Sequence, residues 1–127
     1  MSKIKRIDEL ARILARLRRD GKKIVHCHGV FDLLHPGHIK HFEVAKKKGD
    51  ILIVTVTQDE HVNKGPGRPI FNQHLRAESI AALECVDFVS INDWPTAVET
   101  IKRLKPHFYV KGSDYLKKEE DITGKIY

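Results

Sequence analysis

Two imidazoles three residues apart, His35 and His38, lie in the run Gly29-Val30-Phe31-Asp32-Leu33-Leu34-His35-Pro36-Gly37-His38. The run follows an apolar strand pattern at 24–28 and leads into a helical pattern at 39–48. It therefore sets both rings at the first turn of a helix that opens off a strand's carboxyl end. Unpaired main-chain N–H groups and the helix dipole favour an anion there. Residues three apart share one face of a helical turn. Imidazoles donate hydrogen bonds and carry positive charge when it is needed. This pattern points to phosphate chemistry.

The elements that must position these rings alternate along the chain. Residues 7–20 predict an amphipathic helix, with Ile7, Leu10, Ile13, Leu14 and Leu17 on one face, Asp8 at its start and Gly21 as its stop. Strands are expected at 24–28, 51–57, 87–91 and 108–111. Helices are expected at 39–48, at 72–84 behind an Asn72 cap, and at 95–105 with Pro95 in the first turn. The 51–57 strand carries no charged residue, as in strands buried on both faces. Such alternation predicts right-handed βαβ units. The expected fold is α/β, a Rossmann-like doubly wound parallel sheet in three α/β/α layers with an extra N-terminal helix. One domain of 127 residues is expected, with its core at about 22–115.

In open α/β sheets the ligand lies beyond the carboxyl ends of the strands. Those ends carry Gly29, Phe31 and Asp32; Thr57, Gln58 and Asp59; Asn92 and Asp93; and Lys111, Gly112, Ser113 and Asp114. The long loop Asn63-Lys64-Gly65-Pro66-Gly67-Arg68-Pro69 adds two cations. On the next helix Arg76 shares a face with Ile80 and Leu83, so it leans inward and requires a counter-ion. That counter-ion is either a carboxylate, Asp59 or Glu60, or a bound phosphate. The charged loop before it favours the phosphate.

The ten-residue run resembles the G-x-F-D-x-x-H-x-G-H signature of the cytidylyltransferase-like nucleotidyltransferases. Further matches are Ala45-Lys46-Lys47-Lys48-Gly49-Asp50, Lys64-Gly65 with Arg68-Pro69, Leu75-Arg76, and Val110-Lys111-Gly112-Ser113-Asp114-Tyr115. These are similar to the adenylyltransferase domain of the ADP-heptose synthase group, and next to glycerol-3-phosphate cytidylyltransferases. The resemblance covers about 22–115. It implies transfer of AMP from ATP to a phosphorylated small molecule, a sugar phosphate, with release of pyrophosphate. A CTP-dependent enzyme acting on a polyol phosphate is the alternative. It implies catalytic roles for His35, His38, Lys64 and Arg76. Substrate contacts are implied at Gly29, Val30, Phe31, Asp32, Gly37, Asp59, Lys111, Gly112 and Asp114, with Asp32 chiefly ordering the motif turn. The implied ion is Mg²⁺, held through the triphosphate rather than by protein ligands. A homodimer is expected. The family continues to a fifth strand and a Ser/Thr-rich segment. Nothing in residues 117–127 matches these, so the chain is expected to be a piece of a longer one and the choice of base stays open.

Composition narrows the alternatives. The formal net charge is +6, from 23 Lys and Arg against 17 Asp and Glu, and suggests an anionic partner. Basic residues crowd the N-terminal helix, so a nucleic-acid-binding or dimerisation module is the non-enzymatic reading. A solvated helix face explains them as well, and neither nucleic acid nor membrane is the expected partner. No apolar run approaches the ~20 residues of a membrane span. Cys27 and Cys85 sit in apolar segments and are expected to be reduced core residues in a cytoplasmic protein. His26, Cys27 and His28 stand near His35, His38 and His41 in sequence, but strand alternation turns Cys27 away from its two neighbours. No protein-held metal is expected.

Overall fold

The computed structural model describes residues 2–62 and 65–111. In chain order the elements are α1 (Ile7–Arg19), β1 (Ile24–Gly29), α2 (Pro36–Lys46), β2 (Ile51–Val56), a single 3₁₀ turn (Asp59–His61), α3 (Gln73–Ala81), β3 (Phe88–Ile91), α4 (Val98–Leu104) and β4 (Phe108–Lys111). The four strands are all parallel, in the order β3-β2-β1-β4. From β1 the chain steps outward to β2 and β3, then returns to β1's other side as β4. The order therefore reverses between β1 and β4, and the histidine run leaves β1 beside that switch point.

Strand alternation divides the core into two layers. Val25, Cys27, Leu52, Val54, Val56, Val89 and Val110 pack with Phe42 and Ala45 of α2 and with Ala77 and Ile80 of α3. On the other face Ile24 and Ile53 pack with Leu10 and Leu14 of α1 and Leu104 of α4. The doubly wound, three-layer architecture follows, with α1 as the added N-terminal helix. Cys27 is buried and Cys85 half-buried, and both are free thiols. No helix among the described residues is long and apolar enough to cross a membrane.

Three helix boundaries differ from the sequence expectation. Helix α2 begins at Pro36 rather than 39, because His35 serves as its N-cap. Helix α3 keeps the expected cap, Asn72 accepting from the Leu75 N–H at 2.9 Å, but ends at Ala81 rather than 84. Helix α4 starts at Val98, which leaves Pro95 outside it. The buried Asn92 side chain causes the delay. Its amide donates to the carbonyls of Trp94 (2.6 Å) and Thr96 (2.9 Å), while its oxygen accepts from the Thr100 hydroxyl. This holds the intervening residues as a turn.

The basic N-terminal residues have structural partners. Residues 3–5 run along the outer edge of β3, where the Lys5 N–H donates to Val89 O (2.9 Å) and the Val89 N–H to Lys3 O (3.0 Å). The segment so covers a strand edge that would otherwise be open. Lys3 Nζ donates to Leu83 O just past α3, and Arg18 donates to Leu104 O at 2.8 Å at the end of α4. Cations at helix carboxyl ends complement the helix dipole.

Candidate active site at the carboxyl end of β1

The turn after β1 is built around an unusual main-chain conformation. Phe31 adopts a left-handed φ of 51°, which costs a non-glycine residue on the order of 1–3 kcal/mol. Its ring folds back over Gly29, where an added Cβ would lie 2.8 Å from Phe31 Cζ. Only glycine fits that close approach. The same ring stands edge-on to His38 (centroids 5.6 Å apart) and to Phe42 (5.1 Å). Phe31 thus backs the His38 imidazole.

The two histidines cap their own helix. The Gly37 N–H donates to Nδ1 of His35 at 2.9 Å, and the His35 N–H donates to Nδ1 of His38 at 3.2 Å. The ring centroids lie 4.3 Å apart. A ring nitrogen that accepts an N–H is unprotonated, so each neutral imidazole carries its hydrogen on Nε2. Two Nε2–H donors, oriented by the main chain, thus mark the N-terminus of α2.

Two arginines brace this turn from the α3 side. Asp32 is buried, and its carboxylate accepts from Arg68 Nη1 (2.6 Å), the Ile70 N–H (2.8 Å) and the Phe71 N–H (3.1 Å). Burial works to raise its pKa. The Arg68 hydrogen bond and the two main-chain N–H groups outweigh burial and hold it below the ordinary aspartate value. The expected ordering role of Asp32 is therefore visible as a clamp between the motif turn and the end of the long loop. Arg76 does lean inward and is fully buried. Its Nε donates to Phe71 O (2.9 Å), Nη1 to Val30 O (2.8 Å) and Nη2 to Asp59 Oδ1 (2.6 Å). Of the two counter-ions open to it from sequence, the structure supplies the carboxylate. Arg76 braces the turn through the Val30 carbonyl.

Gly29, Val30, Phe31, Asp32, His35, Gly37 and His38 thus share one turn, to which Asp59 is joined through Arg76. Lys64, Gly112 and Asp114 lie outside the described residues. Lys111 pairs with His28 in the β1–β4 register beside that turn. Sequence reasoning read Arg68 only as loop charge. Its partner is 36 positions away, and no local pattern announces the pair.

His26, His28 and His41 are packed groups rather than ligands. His26 and His28 both hydrogen-bond Thr55 Oγ1, at 2.7 and 2.8 Å. Burial lowers their pKa values to about 3 and about 4. His41 is lowered to about 4, by burial and then by the charge of His38. Burial pushes the Cys27 thiol up, so it offers no thiolate. Among the described residues no group of three or more His, Cys, Asp or Glu side chains could hold a metal ion. Asp32 and Asp59 are each paired with an arginine.

A parallel doubly wound sheet with a histidine-capped helix beside its switch point defines a Rossmann-like α/β class. The chain belongs to the cytidylyltransferase-like family, whose model matches residues 26–126. It is 46% identical over 125 residues to the bifunctional protein HldE of Aliarcobacter butzleri, covering 97% of this chain and 26% of that protein. It is 44% identical over 126 residues to HldE of Geobacter metallireducens, covering 98% and 25%. The chain thus spans about a quarter of the length of these curated relatives. Among solved structures it is similar to a lipopolysaccharide core biosynthesis protein from Thermoplasma volcanium. That match has a TM-score of 0.66 at 29% identity, covering 83% of this chain and 89% of that one.

Proposed function

We propose that this domain transfers AMP from ATP to a sugar phosphate and releases pyrophosphate. The observation that carries the reading is the pair of imidazoles capping α2, each with Nδ1 occupied by a main-chain N–H, which puts the hydrogen of the neutral ring on Nε2. An oxygen of the acceptor's phosphate attacks the α-phosphorus of ATP. The bond from that phosphorus to the bridging oxygen breaks, and its electrons leave with pyrophosphate. Negative charge grows on the non-bridging and leaving oxygens. His35 and His38 donate to those oxygens, and the N-terminus of α2 adds its dipole. The clamped turn keeps the donors aligned, so little reorganisation is needed as charge develops. Lys64 is assigned to the phosphates as a point charge. Asp32 and Arg76 act on the turn rather than on substrate. Mg²⁺ supplies charge neutralisation through the phosphates when bound. The choice of ATP and a sugar phosphate is supported by the motifs shared with the ADP-heptose synthase group and by the kinship with HldE proteins.

The test is pyrophosphate release with ATP, CTP, GTP and UTP, each against glucose 1-phosphate, mannose 1-phosphate and glycerol 3-phosphate. Release with ATP and a sugar 1-phosphate is expected. Release confined to CTP and glycerol 3-phosphate establishes the cytidylyl alternative instead. Absence of release in every pairing overturns the transferase reading.

A further inference from the structure

A cavity opens along the same carboxyl edge of the sheet, beside β2 and β3. It is a cleft of about 330 Å³ between the N-terminal segment 4–7 and the carboxyl ends of β2 and β3. Its polar lining is Lys5, Arg6, Gln58, Gln73, His74, Ser90 and Asp93. Gln58 follows β2 and adjoins Asp59, and Gln73 opens α3. The Gln73 side-chain oxygen accepts from the Asp59 N–H at 2.9 Å, which fixes the orientation of its amide. The cleft is therefore tied to the residue that pairs with Arg76. Ser90 is fully buried, yet its hydroxyl has no hydrogen-bond partner among the described residues. Such a group costs stability unless something in the cleft satisfies it.

We infer that this cleft binds the hydroxylated body of the acceptor, a sugar or polyol bearing a phosphate. The inference rests on the transfer reading and extends it. Two amides, a carboxylate, an imidazole, a hydroxyl and the cations of Lys5 and Arg6 offer donors and acceptors together, as the hydroxyl groups and the phosphate of such a molecule require. Ile4, Ile7 and Ile91 supply an apolar ledge for the C–H face of a sugar ring. The N-terminal segment, placed by its pairing along β3, forms one wall and so takes part in acceptor choice.

Binding is read directly, without turnover. Glucose 1-phosphate, mannose 1-phosphate and inorganic phosphate are titrated into the whole chain, and the side-chain amide signals of Gln58 and Gln73 are followed by NMR. The sugar phosphates are expected to move both signals saturably and inorganic phosphate to leave them in place. Ser90→Ala should weaken the sugar phosphate about five- to tenfold, the size of one neutral hydrogen bond. Its melting temperature should hold or rise, since the variant removes an unpartnered hydroxyl. Signals unmoved by either sugar phosphate overturn the inference, as does an equal response to inorganic phosphate or unchanged affinity in Ser90→Ala. The two readings fail separately. Turnover with motionless signals removes the cleft, whereas moving signals without any pyrophosphate release remove the transfer reading and keep the cleft as a sugar-phosphate site.

Discussion

The main-chain N–H of His35 donates to the imidazole Nδ1 of His38, 3.2 Å away, while the His35 ring accepts from the Gly37 N–H at 2.9 Å. Each histidine therefore caps α2 through Nδ1, and the proposed reaction gives a separate task, service to phosphate, to Nε2. Asparagine divides these tasks at position 35. It is among the best N-cap residues but offers nothing equivalent to Nε2–H. His35→Asn should keep the wild-type melting temperature within a few degrees and lose about 10²-fold or more in pyrophosphate release. His35→Ala should lose the same activity and about 1 kcal/mol of stability. Full activity in the asparagine variant would leave His35 as a cap alone.

His38 stands against Phe31, so its replacement also tests how far the ring's backing matters. His38→Ala should remain folded, with a loss of about 1 kcal/mol. If the ring acts on charge that develops in the transition state, turnover falls by about 10²–10³ while ATP affinity changes little. Calorimetric titration with ATP and a pyrophosphate assay on one preparation separate the two effects. An equal loss in both would assign His38 to ground-state binding.

Asp32 couples the turn to acid stability. Its folded pKa lies below that of the unfolded chain, so the clamp's contribution is fully present above the ordinary aspartate value of about 4. It is lost as pH falls further, through the folded pKa. The urea midpoint of the wild type should therefore drop more steeply below about pH 4 than that of Asp32→Asn. The variant starts lower at neutral pH, because Arg68 loses its anionic partner. Parallel profiles for the two proteins would remove Asp32 from acid unfolding.

The histidines beneath α1 and α4 act in a higher window. His26 and His28 have folded pKa values of about 3 and 4, against about 6.5 unfolded. Below pH 6.5 the unfolded chain binds protons that the folded chain refuses, and stability falls by up to about 1.4 kcal/mol per pH unit for each ring. The unfolding midpoint should decline between pH 6.5 and 4.5, and His28→Asn should flatten that decline. An unchanged slope in the variant would show that His28 titrates in the folded state.

Much of this geometry was legible in the sequence because it is local. The uncharged run at 51–57, the Asn72 cap and the inward face of Arg76 each follow from spacing alone. The start of α2 was not, since histidine is a rare N-cap and only the folded turn brings Nδ1 to the Gly37 N–H. The late start of α4 depends on Asn92, whose amide reaches forward two and four residues in competition with the helix. The Asp32–Arg68 clamp and the left-handed Phe31 depend on chain segments brought together only by folding. Nothing in composition or period encodes them.

Arg76 is where the two kinds of inference meet. Sequence spacing turned it inward, and in the structure each of its three nitrogens donates once, to Phe71 O, Val30 O and Asp59 Oδ1. Asp59 is 40% exposed, so solvent screens the ion pair and little of the brace's strength comes from charge alone. The two carbonyls are the larger stake, since losing a charged donor leaves each unsatisfied. Arg76→Ala should cost about 3 kcal/mol and shift the motif turn. Asp59→Asn, which keeps an acceptor beside Nη2, should cost less than about 1 kcal/mol. If Arg76 only braces, Asp59→Asn keeps its affinity for ATP. If the guanidinium instead swings from Asp59 to a phosphate during the reaction, Asp59→Asn releases it and ATP affinity rises. Denaturation midpoints together with ATP titrations of both variants decide between the brace and the swinging arm.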